Sequence, residues 1–211
     1  MQTYPELPVP ELEVLLTHEA SRRGYGGQAE FYLACLRLCG NTGTYVDAPL
    51  HRYRGAWDLA SYPLERLAHL PAVVIDVRGH GRAVGSGALR GARLKGRAVL
   101  FLTGWSRLWR TPAYFGPAPF LARETVERLI EEEVAFVGID SLNIDAVEDL
   151  SRPAHTLLLA QGIPICEHMT RLEEAPSTGS WLHAVPIAWV GGPSFPVRAY
   201  LMIPEDADQE I

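Results

Sequence analysis

Cysteine is scarce in this 211-residue chain, long apolar runs are missing, and positive charge is nowhere clustered. The cysteines number three, Cys35, Cys39 and Cys166, an odd count that argues against a disulfide framework. Cys35 and Cys39 lie in Phe31–Cys39, which reads as a strand, and four residues of strand span roughly 13 Å, too far for a disulfide. They read as small buried apolar side chains. No stretch approaches the roughly 18 apolar residues of a membrane-crossing helix. Lys and Arg total 19 against 25 Asp and Glu, a net charge of −6, which argues against electrostatic binding of nucleic acid. The start, Met1-Gln2-Thr3-Tyr4-Pro5, lacks the basic and apolar regions of a signal peptide, so a cytoplasmic protein is expected.

What is present reads as one domain over 1–211 with a mixed α/β pattern. A hydrophobic fraction of 47% and a charged fraction of 21% are ordinary for a globular chain. Phe31–Cys39 is apolar on both faces of a strand and is expected to be largely buried, although periodicity alone leaves a short buried helix open. Ala72–Val77, Ala98–Thr103 and Ala135–Asp140 read as buried strands. Leu121–Val134 reads as a helix with Ala122, Val126, Leu129, Ile130 and Val134 on one face and a solvated Glu131–Glu133 run. Pro153–Gln161 reads as a helix stopped at Gly162, followed by a strand over Ile163–Glu167. Trp181–Val190 and Pro196–Ile203 read as late strands, and Glu205–Ile211 as a fraying polar tail. Gly79–Gly96 misses the dinucleotide fingerprint by one residue and reads as a flexible surface loop.

The polar groups that invite chemistry are Asp47 and His51 in a Pro-containing loop, His155 in the first turn of a helix, and Glu167 at a strand end. Asp, His and Glu are ligand types for Zn²⁺ or Mn²⁺, but spacing alone does not show that they converge.

Residues 41–51 read Asn-Thr-Gly-Thr-Tyr-Val-Asp-Ala-Pro-Leu-His. This resembles the signature H-x-G-T-H-x-D-x-P-x-H of the cyclase / kynurenine formamidase family of metal-dependent hydrolases. Asn41 and Tyr45 stand where that family has two metal-binding histidines. Further matches in order are Thr103-Gly104-Trp105, Gly138-Ile139-Asp140-Ser141, His155 with Leu158-Leu159, Ile163–Glu167, and Pro196-Val197-Arg198-Ala199, so the resemblance covers roughly 40–203. Tyr4-Pro5 stands where the family has a Y-P-G segment, and the family's opening strand is either lost or lies upstream. The resemblance implies the swivelling β/β/α domain of the cyclase family, a mixed sheet with flanking helices.

It also implies roles. Asp47, His155 and Glu167 would hold one divalent metal, Zn or Mn, and His51 would be the catalytic acid/base, since an imidazole ordinarily titrates near 6.5. Three protein ligands and an open position suit a catalytic zinc. Asn41 and Tyr45 would form a degenerate first-metal position, because an amide oxygen is a weak ligand and a phenol must first lose its proton. His168, beside Glu167, would point to the opposite face of the strand. Trp105, Trp109, Tyr114 and Phe115 would wall the substrate site, although ordinary packing explains aromatics equally. The implied function is hydrolysis of an amide or lactam-like C–N bond in a small aromatic substrate, of the arylformamidase type found in tryptophan catabolism. The competing reading is a catalytically silent small-molecule-binding or scaffold protein. A homodimer or higher homo-oligomer is expected by resemblance only.

Overall fold

The structure, a computed structural model, describes residues 4–204. The chain opens with β1 (Glu11–Leu16), α1 (His18–Gly24) and β2 (Leu33–Arg37). Then come β3 (Tyr45–Asp47), β4 (Leu70–Asp76), β5 (Ala83–Val84), β6 (Ala98–Leu102) and β7 (Phe120–Leu121). Helix α2 (Arg123–Glu131), β8 (Phe136–Ile139), α3 (Pro153–Ala160) and β9 (Ile165–Glu167) follow, and β10 (Ser180–His183), β11 (Ser194–Pro196) and β12 (Tyr200–Met202) complete the order.

Eight strands form one sheet in the order β11-β3-β9-β8-β6-β4-β10-β12. The four central strands, β9, β8, β6 and β4, run parallel. The flanking pairs are antiparallel. A parallel centre needs cover on both faces, and its strands are accordingly continuous apolar runs. Val99 and Phe101 of β6 face one side with Val73, Ile75, Val137 and Ile139, under Val126 and Leu129 of α2 and Leu158 and Leu159 of α3. Leu100 and Leu102 face the other side with Ala72, Val74, Phe136, Val46 and Leu182. Gly138 of β8 makes room for its neighbours: a Cβ there would sit 2.5 Å from the Met169 sulfur and 2.8 Å from Leu100, so both side chains would have to shift. Gly162, at φ +66°, ends α3 in the left-handed region.

Around α2 the expected surface is solvated: Arg128 pairs with Glu131 and Glu132, and Lys95 with Glu133.

Four expectations need correction. Phe31–Cys39 does contain a strand, β2, but it is exposed along its whole length. It pairs only with β1, so no second layer reaches either face. Cys35 is therefore exposed and Cys39 half-buried, while Cys166 is buried, and all three are free thiols. Gly79–Gly96 is tied down rather than loose, because β5 pairs with β7 and Val84, Leu89 and Leu94 are buried in the core. Trp181–Val190 keeps strand geometry only to His183, and Pro196–Ile203 divides between the last residue of β11 and the whole of β12, on opposite edges of the sheet. The tail over 205–211 lies outside the described residues.

Candidate metal centre

Register builds the site. In the antiparallel pair β3–β9, Tyr45 lies opposite Glu167; in β3–β11, Asp47 lies opposite Ser194. Tyr45 and Asp47 are two apart on one strand and so share a face, while Val46 points into the core on the other side. The consequence is two cross-strand hydrogen bonds: the Tyr45 hydroxyl donates to Glu167 Oε2, and the Ser194 hydroxyl donates to Asp47 Oδ1.

The third group, His155, comes from α3. No side chain of the N-cap residue, Arg152, caps this helix. Asp145 does so from the loop after β8, accepting from Ala154 N at 2.6 Å and His155 N at 3.1 Å. The same carboxylate holds His155 Nδ1 at 2.6 Å. That leaves His155 Nε2 facing the strands, 3.7 Å from Asp47 Oδ2 and 3.7 Å from Glu167 Oε1. Glu167 Oε1 also accepts from Ile144 N at 2.7 Å.

Asp47 and Glu167 thus each approach His155 Nε2 to 3.7 Å, although their motifs are far apart in sequence. All three are buried, at 0%, 5% and 0% exposure. Asp47 Oδ2 is the telling atom, being buried without a hydrogen-bond partner in the protein. Leaving a buried carboxylate oxygen unpaired is costly, and a cation is the group that would satisfy it. The donor set is two carboxylates and an imidazole oriented by a second carboxylate, which suits Zn²⁺ or Mn²⁺. His51 lies at the solvent side with its side chain 34% exposed. Its Nδ1 is 3.2 Å from Ser194 Oγ, and its ring centroid is 5.7 Å from that of His155. Asp47, His51 and His155 each bring one ligand atom within 4.8 Å of the others, so His51 stands close enough to ligate as well as to exchange protons.

Charge balance explains how the cluster folds. Burial disfavours a charged His155, but the Asp145 hydrogen bond and then the Asp47 and Glu167 carboxylates outweigh it, holding the imidazole pKa up to about 10. Without an ion, His155 is therefore the cation that neutralises the carboxylates. Burial raises Glu167 above the usual carboxylate range, with His155 opposing and Asp47 adding to the shift.

The degenerate position is filled by side chains. Tyr45 is buried, and burial together with the Glu167 charge drives its pKa well above 10, so its phenol is neutral and donates to Glu167. Tyr4 Oη lies 3.1 Å from Tyr45 Oη and donates to the Leu142 carbonyl at 2.9 Å. His168 closes this side. The strand ends at Glu167, and His168 turns at φ 55°, which removes the alternation expected of strand neighbours. Its Nε2 is 3.0 Å from Tyr4 Oη and its Nδ1 2.7 Å from Tyr114 Oη. Since Tyr4 gives its hydrogen to Leu142, His168 Nε2–H donates to Tyr4 and Nδ1 accepts from Tyr114. Burial pushes His168 down to about 3, so the ring is neutral. Asn41 is half-buried in the loop before β3.

Of the expected aromatic wall, Trp109 and Tyr114 reach the cleft. That cleft, of about 200 Å³, is lined by Gly43, Thr44, Ser106, Trp109, Tyr114, His168 and Thr170. Trp105 instead packs beneath, donating its indole N–H to the Tyr114 carbonyl at 2.9 Å. Phe115 packs edge-on to the Tyr114 ring and is 43% exposed. Sequence reasoning missed Asp145 and Ser194 and gave Tyr4 no role at the site: no motif marks Asp145 or Ser194, and each acquires its role from the partner that the fold brings to it. The Thr103-Gly104 and Asp140 matches meet, because Asp140 accepts from Thr103 N at 2.7 Å and Gly104 N at 2.9 Å, joining the ends of β6 and β8 beside the cleft.

The Cyclase family model matches residues 4–146. The chain belongs to the cyclase family. A kynurenine formamidase of Salinibacter ruber is 36% identical over 174 residues, covering 80% of this chain and 79% of that protein. One from Paracidovorax citrulli is 29% identical over 182 residues, covering 85% and 83%. In structure, isatin hydrolase A from Ralstonia solanacearum superposes with a TM-score of 0.80 at 26% identity, covering 95% of this chain and 84% of that one. The fold is that of the cyclase family, and the chain is an enzyme of the amidohydrolase class. No described helix is long and apolar enough to cross a membrane.

Proposed function

We propose that this enzyme cleaves the C–N bond of a formamide or lactam carried on a small aromatic compound, using one divalent ion held by Asp47, His155 and Glu167. The observation that carries the reading is Asp47 Oδ2, fully buried, without a hydrogen-bond partner and 3.7 Å from His155 Nε2. The relatives' names, kynurenine formamidase and isatin hydrolase, supply the two amide types. A neighbour from Bacillus stearothermophilus is described as a predicted metal-dependent hydrolase, with a TM-score of 0.71 at 25% identity.

An ion at this position supplies Lewis-acid polarisation of the scissile carbonyl and a water acidic enough to serve as nucleophile near neutral pH. The chain's own residues do the rest. Asp145 fixes the His155 tautomer with the hydrogen on Nδ1, leaving Nε2 to the ion. Ser194 acts on His51 in the same manner. Its hydroxyl hydrogen is committed to Asp47 Oδ1, so in the 3.2 Å contact His51 Nδ1–H is the donor. His51 Nε2 then carries the lone pair, ready to take a proton and return it to the leaving nitrogen. The Trp109 and Tyr114 rings form an aromatic wall suited to a planar substrate. The neutral Tyr45–Glu167 hydrogen bond leaves no ligand set for a second ion beside the first.

The test is elemental analysis of protein purified without chelator, together with hydrolysis of N-formylkynurenine and isatin in the presence of Zn²⁺ or Mn²⁺. One ion per chain and hydrolysis of either substrate is expected. Protein that binds no ion, or that loads one and hydrolyses neither substrate above background, overturns the reading.

A further inference from the structure

The cleft beside the metal centre is small. At about 200 Å³ it falls short of the roughly 300–1,000 Å³ of an ordinary ligand pocket. A second cavity, of about 310 Å³, adjoins it, and Thr170 borders both. The chain itself leads from one to the other. After the candidate ligand Glu167, His168 lines the cleft, Thr170 lines both cavities, and Met169 and Leu172 line the second. A second stretch makes the same passage: Val197 N donates to the carbonyl of Thr44 in the cleft wall at 2.9 Å, and Ala199, two residues on, lines the second cavity. Thr170 is small and exposed, not locked into the core as a partition.

The second cavity is apolar. Met169, Leu172, Leu182, Ala199, Leu201 and Ile203 line it. The first three are buried members of the core on this side of the sheet, so they form a fixed floor, and Ile203 is half exposed at the mouth. Arg171 and Glu174, the charged residues of the lining, pair with each other at 2.8 Å and are both exposed, which keeps their charge at the rim. A polar group placed against this floor would lose water and find no partner. An apolar group would lose only unfavourable hydration.

We propose that this cavity is a substrate subsite: it takes an apolar alkyl or aryl substituent carried on the aromatic ring, on the side away from the scissile C–N bond. The inference rests on the function proposed above and names the substrate class more closely. With the amide at the metal centre and the ring between Trp109 and Tyr114, a substituent extends past Thr170 onto Leu172 and Leu201. Each methylene moved from water into such a lining is worth about a factor of four in affinity. The contact lies away from the reacting atoms, so it is equal in ground and transition states. It therefore lowers KM and leaves kcat unchanged. A single-ring substrate leaves the cavity to water and is still turned over.

The test compares N-formylaniline with its 3-propyl and 4-propyl derivatives on the metal-loaded full chain. At least one propyl compound should show a kcat/KM about tenfold or more above that of N-formylaniline, through KM alone. Ala199→Phe and, on a separate segment, Ala175→Phe each place a ring in the second cavity. Either should erase the preference while N-formylaniline is hydrolysed at the parent rate. Calorimetry with benzoate and its 3-propyl and 4-propyl derivatives reads the same subsite without turnover: a propylbenzoate should bind about tenfold tighter to the parent and no tighter to the variants. Binding that follows this pattern in a protein that hydrolyses none of the formanilides supports the subsite and overturns the hydrolase reading. A propyl preference absent from both assays overturns the proposal, as does one that survives in either variant with the parent's far-UV spectrum.

Discussion

Tyr45 and Glu167 face each other across the β3–β9 pair, and the phenol hydroxyl donates to Glu167 Oε2 where the family signature has an imidazole. The contact links the degenerate position to the retained one. It occupies one carboxylate oxygen and leaves the other, Oε1, directed at His155.

Removing that hydroxyl should therefore destabilise the protein. Tyr45→Phe leaves a fully buried carboxylate oxygen without its donor, at a cost of about 1–3 kcal/mol. Denaturant unfolding of the metal-free protein is the measurement, and an unchanged midpoint would show that the hydrogen bond contributes nothing. In the same region, Asn41→His with Tyr45→His should raise the bound-metal stoichiometry from one to two per chain, read by titration.

Asp145 acts through His155. Asp145→Asn can keep an oxygen for the helix amides but removes the carboxylate from His155 Nδ1. Metal affinity should fall roughly 10–100-fold, the usual effect of losing such a partner. Competition with a chelator measures it, and an affinity equal to the parent's would remove Asp145 from the design.

Metal binding should release a proton at neutral pH. In the metal-free cluster the His155 pKa is raised to about 10, so the ring is charged at pH 7 and must deprotonate to ligate. Apparent affinity should rise about tenfold per pH unit from pH 7 towards 10 and level off above it. Calorimetry in buffers of different ionisation enthalpy counts the proton; no buffer dependence would mean that His155 is neutral before the ion arrives. The same shift has a sign for stability. A histidine raised above its unfolded value near 6.5 stabilises the fold fully below that pH, and the contribution is lost as pH rises through about 10. Metal-free protein should thus become easier to unfold across that window, while metal-loaded protein should not.

His51 and His155 should separate in kind. His51→Ala should lower turnover by about 10²–10⁴ with the ion retained, as for loss of a general acid/base. His155→Ala should lose the ion. Because His51 also lies within reach of the ligand atoms, a His51→Ala protein with weakened metal binding would make it a ligand instead.

The sequence by itself determined the layers. Runs such as Ala98–Leu102 are apolar at every position, the pattern of a strand covered on both faces. Pro153 and Gly162 bracket α3 through backbone constraints that act locally. Asp47, His155 and Glu167 were legible as ligand types because each sits in a motif. Their convergence was decided by tertiary structure, since it depends on the register of β3 against β9 and on the angle at which α3 meets the sheet. The roles of Asp145 and Ser194 were invisible beforehand for the same reason: a hydrogen bond made between separate elements leaves no trace in either segment's own pattern. The exposure of β2 marks the sharpest division. Its apolar composition states that the strand needs cover, but the physics of burial is indifferent to which chain provides it, so composition could not reveal that this fold leaves the strand bare.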